Sequence, residues 1–332
     1  MFAARLVCLW IGAFGIAAAA SGQTYMQISV GAYTAPSIIN NAGTVAGVYS
    51  VYPPSKSNFR LVMFVRDADG TRRDIGPGGT SVLGGPGGMN AAGAVTGFYV
   101  DLLTGVIHGF VQDPAGNFLS FDVPSATSTR PHGINAGGAV TGSWATAPSP
   151  GSSPVPNHGF LRNADGTITS FDAPESISTA PVSINAIGVI TGAYQTADGT
   201  YHGFVRDPAG DITSFDPPGS TGTSPVSINY AGTIAGSYTK ADGRTYGFVR
   251  DSEGTITSFD SGTPASINSK GVITGSGGNS GFVRTPDGAI TLLDQPTFCT
   301  GSVLPRSINE GGVIAGYCLS GAGSQTGWVR FP

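Results

Sequence analysis

Three histidines each stand 14 residues before an aspartate: His108 and Asp122, His158 and Asp172, His202 and Asp216. A carboxylate that orients an imidazole can create a general base. Each pair brackets a turn sequence of the "DPAG" or "NADG" kind, and a hairpin centred there sets the two residues opposite each other. The same spacing pairs Tyr246 with Asp260 and Ser280 with Asp294, and no nucleophile recurs beside any of them. The expected role is therefore a structural cross-strand hydrogen bond. No catalytic residue is assigned. Histidines on separate outer strands are also too far apart to share one ion, so no metal site is expected.

Two other stretches invite chemistry and lack its partners. The turn "DADG" at 67–70 has the Asp and Gly of a calcium loop, but such a loop needs several oxygen ligands and an acid further on, where this chain has Arg72 and Arg73. The Gly-rich run at 76–88 lacks the Lys-Ser/Thr ending of a phosphate loop and is expected to be a connector. No cofactor is expected.

These residues belong to a repeat. An Asn followed shortly by Gly precedes a β-branched run at Asn40, Asn90, Asn135, Asn185, Asn229, Asn268 and Asn309, spaced 39 to 50 residues apart. A run such as "VITGAY" follows, then "HGFVRD" or a variant, then "ITSFD" or a variant. With the short "SIN" run, this makes four strands per repeat. Four strands in 40–45 residues is the signature of a propeller blade, and the expected fold is an all-β, seven-bladed β-propeller. The last repeat stops at "GWVRFP", after its third strand, while "YMQISVGAY" near the N-terminus reads as an isolated fourth strand. Pairing the two would close the ring and remove both free edges. An open solenoid with the same repeat would instead need polar caps.

The recurrent "HGF(V/L)" at His108, His158 and His202, with "RD" and "SFD" after it and "INxxGxIxG" before it, resembles the bacterial extracellular HAF repeat. The resemblance covers nearly the whole chain after its first residues. It implies an exported, propeller-like repeat protein and carries over no catalytic residue. Val62, Tyr246, Ser280 and Thr326 replace the His in the other repeats, so the His cannot be required in every blade.

Residues 1–22 have the three-part layout of a secretory signal peptide, with Arg5, an apolar run and then small residues, cleaved near Ala20–Gly22. The apolar run is too short for a comfortable membrane span, and Cys8 lies inside it rather than at a lipoprotein cleavage site. Residues 23–332 are expected to form one exported domain, extracellular or periplasmic. That portion carries 15 basic against 20 acidic side chains with no basic cluster, which argues against nucleic acid or an anionic membrane as partner. Its two cysteines, Cys299 and Cys318, are expected to form a disulfide. Closing a loop of about 20 residues stabilises the fold by roughly 3 kcal/mol on the chain-entropy model.

Turns of the "INxxG" and "DPAG" kinds should share one face, and the longer, more variable connectors the other, where a scaffold presents a site. Near that face the second strands end in Tyr49, Tyr99, Trp144, Tyr194 and Tyr238. These are the candidate ligand-binding residues, able to stack on a sugar or a peptide, with packing between blades as the alternative. The expected function is a monomeric, non-enzymatic binding or surface-interaction propeller with a glycan or protein ligand. The competing reading is an extracellular polysaccharide hydrolase or lyase, which needs two non-repeat carboxylates converging on that face. Asp101 and Glu175 are the candidates, and they lie in different repeats.

Overall fold

The computed structural model describes residues 16–18, 23–31, 33–51, 60–77, 84–146, 156–260, 262–320 and 323–332. The described residues are all-β: no helix occurs among them, so none is long and apolar enough to cross a membrane. Most of the expected signal peptide, and much of the long loops at 50–60 and 145–157, lie outside the described residues.

Each repeat builds one antiparallel four-stranded sheet in sequence order. In the fourth repeat the strands are Ser176–Ile184, Ile190–Thr196, Tyr201–Arg206 and Ile212–Phe215. The repeats that begin at Thr34–Ile39, Ser220–Ile228 and Thr263–Ile267 follow the same plan. Those beginning at Gly85–Met89 and Ser128–Ile134 are joined by one parallel bridge between Ser128 and Ile107. The final repeat has three strands, Ser302–Ile308, Ile314–Leu319 and Gln325–Phe331, and its fourth place is taken by Thr24–Ile28 from the other end of the chain. The pairing is in register, with Tyr25 opposite Arg330 and Ile28 opposite Gly327. The short strand Ile16–Ala18 lies beyond it.

The repeat Asn decides how neighbouring sheets meet. All seven are buried. Within its own turn Asn185 accepts the Val189 N–H at 2.9 Å and the Ile187 N–H at 3.2 Å through Oδ1, while Gly188, at φ 88°, supplies the left-handed residue that the turn requires. Its Nδ2 donates to the backbone carbonyl of Asn229 in the next repeat at 3.2 Å. Asn229 donates to Asn268, Asn268 to Asn309, and Asn309 to Asn40 at 3.0 Å. From Asn40 the bonds run through Asn90 and Asn135 back to Asn185. Seven side chains thus form one circuit that returns to its start. The Ser of "SIN" adds a second set of bonds, because Ser183, Ser227, Ser266 and Ser307 each accept the N–H of the buried Ile in the following repeat, at 3.2–3.4 Å.

Hydrophobic cores lie between consecutive sheets. Ile228, Ile234, Tyr238 and Phe248 of the fifth repeat pack against Val189, Val205 and Phe215 of the fourth. The last and first repeats meet in the same way, with Ala315 and Val329 against Ile39, Val45 and Phe64. At each such junction "SFD" meets "GFVRD". Phe215 stands edge-on to Phe248 at 5.8 Å, and the Arg250 guanidinium lies over its ring at 5.0 Å while donating to the Asp251 carbonyl at 3.1 Å. Burial lowers the Arg250 pKa from its ordinary value.

Replacing Asn185 with Ala leaves two turn N–H groups, of Ile187 and Val189, without their acceptor and removes one of the two donors to the Asn229 carbonyl, which keeps only the Gly232 N–H at 3.1 Å. Because an orphaned buried polar group costs about 1–3 kcal/mol, the variant is expected to lose at least about 2 kcal/mol. In urea unfolding this reads as a lower midpoint with an unchanged slope.

Candidate functional site

The His–Asp pairs form as the spacing predicts. Nδ1 of His108, His158 and His202 lies 2.8, 2.8 and 2.6 Å from Oδ2 of Asp122, Asp172 and Asp216. Each imidazole also lies against the second-strand aromatic of its own sheet: Tyr99 on His108 at 5.2 Å, Trp144 on His158 at 4.8 Å, Tyr194 on His202 at 5.2 Å. The extension of the pattern to Tyr246 fails. Its hydroxyl reaches Asp242 at 3.4 Å, and Asp260 instead faces Arg244 at 3.8 Å, because the phenol is longer than an imidazole and passes its cross-strand neighbour.

The Gly of "HGF" explains the rest of the motif. Gly203 lies opposite Phe215 across the third and fourth strands, and a Cβ on Gly203 would come within 2.6 Å of that ring. Gly159 and Gly247 stand in the same relation to Phe171 and Phe259. The missing side chain lets the fourth-strand Phe lie flat across its own sheet and reach the next one. The motif is therefore a packing device with a polar clasp at its edge.

The five candidate aromatics are turned largely into the sheets. Tyr49, Tyr194 and Tyr238 are buried. Their hydroxyls cross to the fourth strand of the same sheet, to Asp74, Ser214 and Ser258 at 3.0, 2.8 and 2.9 Å. Burial, together with the Asp74 carboxylate, raises the Tyr49 pKa. Tyr99 and Trp144 are half-buried, and the Tyr99 hydroxyl bonds Ser120 at 2.9 Å. Beside Tyr99 and His108 a cleft of about 390 Å³ opens on the connector side, walled by Asp101, Leu102 and Leu103. Leu103 is 97% exposed at the tip of a tight turn, which Asp101 holds by accepting the Leu103 N–H at 2.8 Å. That bond is the first cause of a lowered Asp101 pKa.

Among the described residues no contact joins Asp101 to Glu175, which sits in a connector at φ 59°. The Asp residues of the calcium-like turn are already engaged, since Asp69 accepts the Thr71 N–H at 2.8 Å and Asp67 accepts Thr44 Oγ1 at 3.1 Å. This second bond joins an "INxxG"-type turn to a hairpin turn, so the two kinds share one face. Among the described residues no cluster of His, Cys, Asp or Glu could hold a metal ion. Cys299 and Cys318 form a disulfide with Cα atoms 5.7 Å apart, packed with Tyr25 and Trp328.

A feature not anticipated from the sequence lies at the centre. Every innermost strand carries a Pro followed by an extra residue that breaks the register, as between Pro181 and Ser183 or Pro305 and Ser307. Pro is tolerated there because the strand is an edge with no partner on its inner side. The Gly-rich run is part of this feature: residues 78–83 lie outside the described residues, but Pro86 to Gly88 belong to an innermost strand rather than to a connector. Segments from all seven repeats line a cavity of about 510 Å³. Among the lining residues are His132 and Arg306, at equivalent bulge positions of the third and seventh repeats. Its enclosure lowers the His132 pKa, although Nδ1 donates to the Pro181 carbonyl at 2.6 Å, a bond that acts the other way.

No family model matches the chain, and no curated protein matches it in sequence. Solved structures do match. A streptogramin B lyase aligns over 92% of this chain and 96% of its own, with 15% identity and a TM-score of 0.59. A catalytically inactive virginiamycin B lyase from Staphylococcus aureus with quinupristin aligns over 93% and 100%, at 15% identity and a TM-score of 0.60. The β-propeller domain of the Trilobed protease from Pyrococcus furiosus aligns over 90% and 92%, at 9% identity and a TM-score of 0.63. At these identities the likeness establishes a β-propeller fold and nothing about activity.

If "HGF" is a packing device, its Gly should matter more than its His. Gly203→Ala is expected to cost about 1–3 kcal/mol through overpacking against Phe215. His202→Ala removes a partly exposed pair and should cost no more than about 1 kcal/mol. Thermal unfolding of both variants checks the order.

Proposed function

We propose that this chain is an exported, closed, seven-bladed propeller of the HAF-repeat kind that works as a binding protein, docking a protein partner on the connector side of its second repeat. Closure is supported by the exchange of strand Thr24–Ile28 into the last sheet and by the asparagine circuit through all seven repeats. The layout of residues 1–22 and the Cys299–Cys318 disulfide support export.

The observation that carries the binding reading is the cleft at Tyr99. Leu103 and Leu102 project at 97% and 59% exposure beside a half-buried aromatic, an apolar anchor set on a tight turn. A protein partner suits this site better than a sugar, because the aromatic faces that would stack on a sugar lie against His108, His158 and His202. An enzymatic reading has less support, since the lyase likeness is one of fold and no hydroxyl recurs within hydrogen-bond reach of the paired imidazoles: among the described residues only His202 has one, Thr196 Oγ1 at 3.5 Å from Nε2, and that hydroxyl donates to Asp198 at 2.6 Å.

The test is to identify a protein that the mature chain captures from its own extracellular fluid and to measure its affinity for the wild type and for Leu103→Asp. A loss of at least ten-fold is expected. A partner indifferent to this change, or binding on a glycan and peptidoglycan array that survives it, would overturn the reading.

Closure makes a separate prediction. Deleting Tyr25 to Ala32 uncovers Trp328 and an unpaired strand edge, and should cost several kcal/mol, on the order of the burial that one strand provides, with aggregation. A truncated protein that stays monomeric with an unchanged melting temperature would favour an open arrangement.

A further inference from the structure

The central cavity carries chemistry that the repeat does not require. The bulge residue after Pro is Ser37, Gly87, Val182, Val226 or Ala265 in five repeats, and His132 and Arg306 in the other two. Fold maintenance therefore accepts a small or apolar side chain at this place. Arg306 nevertheless puts a permanent cation on the cavity wall, and among the described residues it has no ion pair, only the Tyr317 ring at 6.0 Å. No carboxylate lines the cavity. The nearest in sequence, Glu310, lies at the asparagine mouth, where it accepts from Ser269 N and Oγ at 2.9 and 2.7 Å.

The same wall holds Ser183, Ser227, Ser266 and Ser307. Each oxygen accepts a backbone N–H from the following repeat, and among the described residues no acceptor takes the hydroxyl protons. A hydroxyl that accepts from an N–H is polarised toward donating its own proton. The cavity thus combines a forked guanidinium, several hydroxyl donors and no competing acid, the set that recognises an oxyanion.

We propose that the central cavity binds a small oxyanion, a carboxylate or a phosphate group, with Arg306 as its charged anchor and the wall serines as supporting donors. Arg306→Ala is a fair probe because Ala265 fills the equivalent place in the sixth repeat, so the variant is expected to fold with an unchanged melting temperature. Arg244, exposed on a hairpin and facing Asp260, serves as the control cation.

The experiment is calorimetric titration of the full mature chain with inorganic phosphate and, separately, with citrate, which distinguishes the two oxyanion classes. Saturable one-site binding of at least one probe is expected, weakened at least ten-fold by Arg306→Ala and unaffected by Arg244→Ala. Absence of saturable binding with either probe, or equal weakening by the two substitutions, would overturn the proposal. Because the cleft at Leu103 is a different site, loss of the docking reading leaves this result standing.

Discussion

The architecture depends on one side chain used seven times. An amide has a donor and an acceptor on the same group, so a single Asn can close its own turn through Oδ1 and hold the next sheet through Nδ2. Asp lacks the donor, and Ser is too short to span both distances. Local turn formation and packing between sheets are thereby joined in one buried group. The circuit from Asn309 to Asn40 places the two ends of the repeat array side by side. The sheets are then set at a spacing that brings Phe215-type side chains onto the next sheet.

This coupling accounts for most of the recurrent polarity within the repeat. The Arg of "FVRD" covers a neighbour's Phe, the Thr of "ITG" donates to a backbone carbonyl, as Thr191 does to Phe204 at 2.9 Å, and the Ser of "SIN" accepts from the next repeat. Residues that look catalytic in isolation are engaged in structure. Function is then to be sought where repeats differ: the turn bearing Leu103, and the bulge positions bearing His132 and Arg306.

The disulfide shows how a repeat departs from its pattern under local demand. Cys318 occupies the place of the second-strand aromatic, and its partner Cys299 comes from the preceding connector. Tyr25 and Trp328 pack with the two cysteines in one buried cluster. The repeat that takes a strand from the far end of the chain is also the one that carries a covalent tie.

Much was legible in the sequence because its causes are local. Turn residues fix hairpins within a few positions, so the strand order in each sheet, the cross-strand meeting of His202 with Asp216 and the lone fourth strand near the N-terminus follow from spacing alone. Tyr246 shows the limit, since backbone register set its cross-strand neighbour but side-chain length decided its partner. Whether Tyr194 faced solvent or the next sheet could not be read either, because alternation gives a face without saying what covers it. The inner bulge was hidden for a stronger reason: an extra residue after Pro breaks the period of two, and residues scattered from Ser37 to Arg306 share a wall only when the innermost strands are brought to one cavity. The sequence by itself determined the repeat, its hairpins and the missing strand. Only tertiary structure decided which of the varied side chains meet, because a cavity lined by every repeat belongs to none of them.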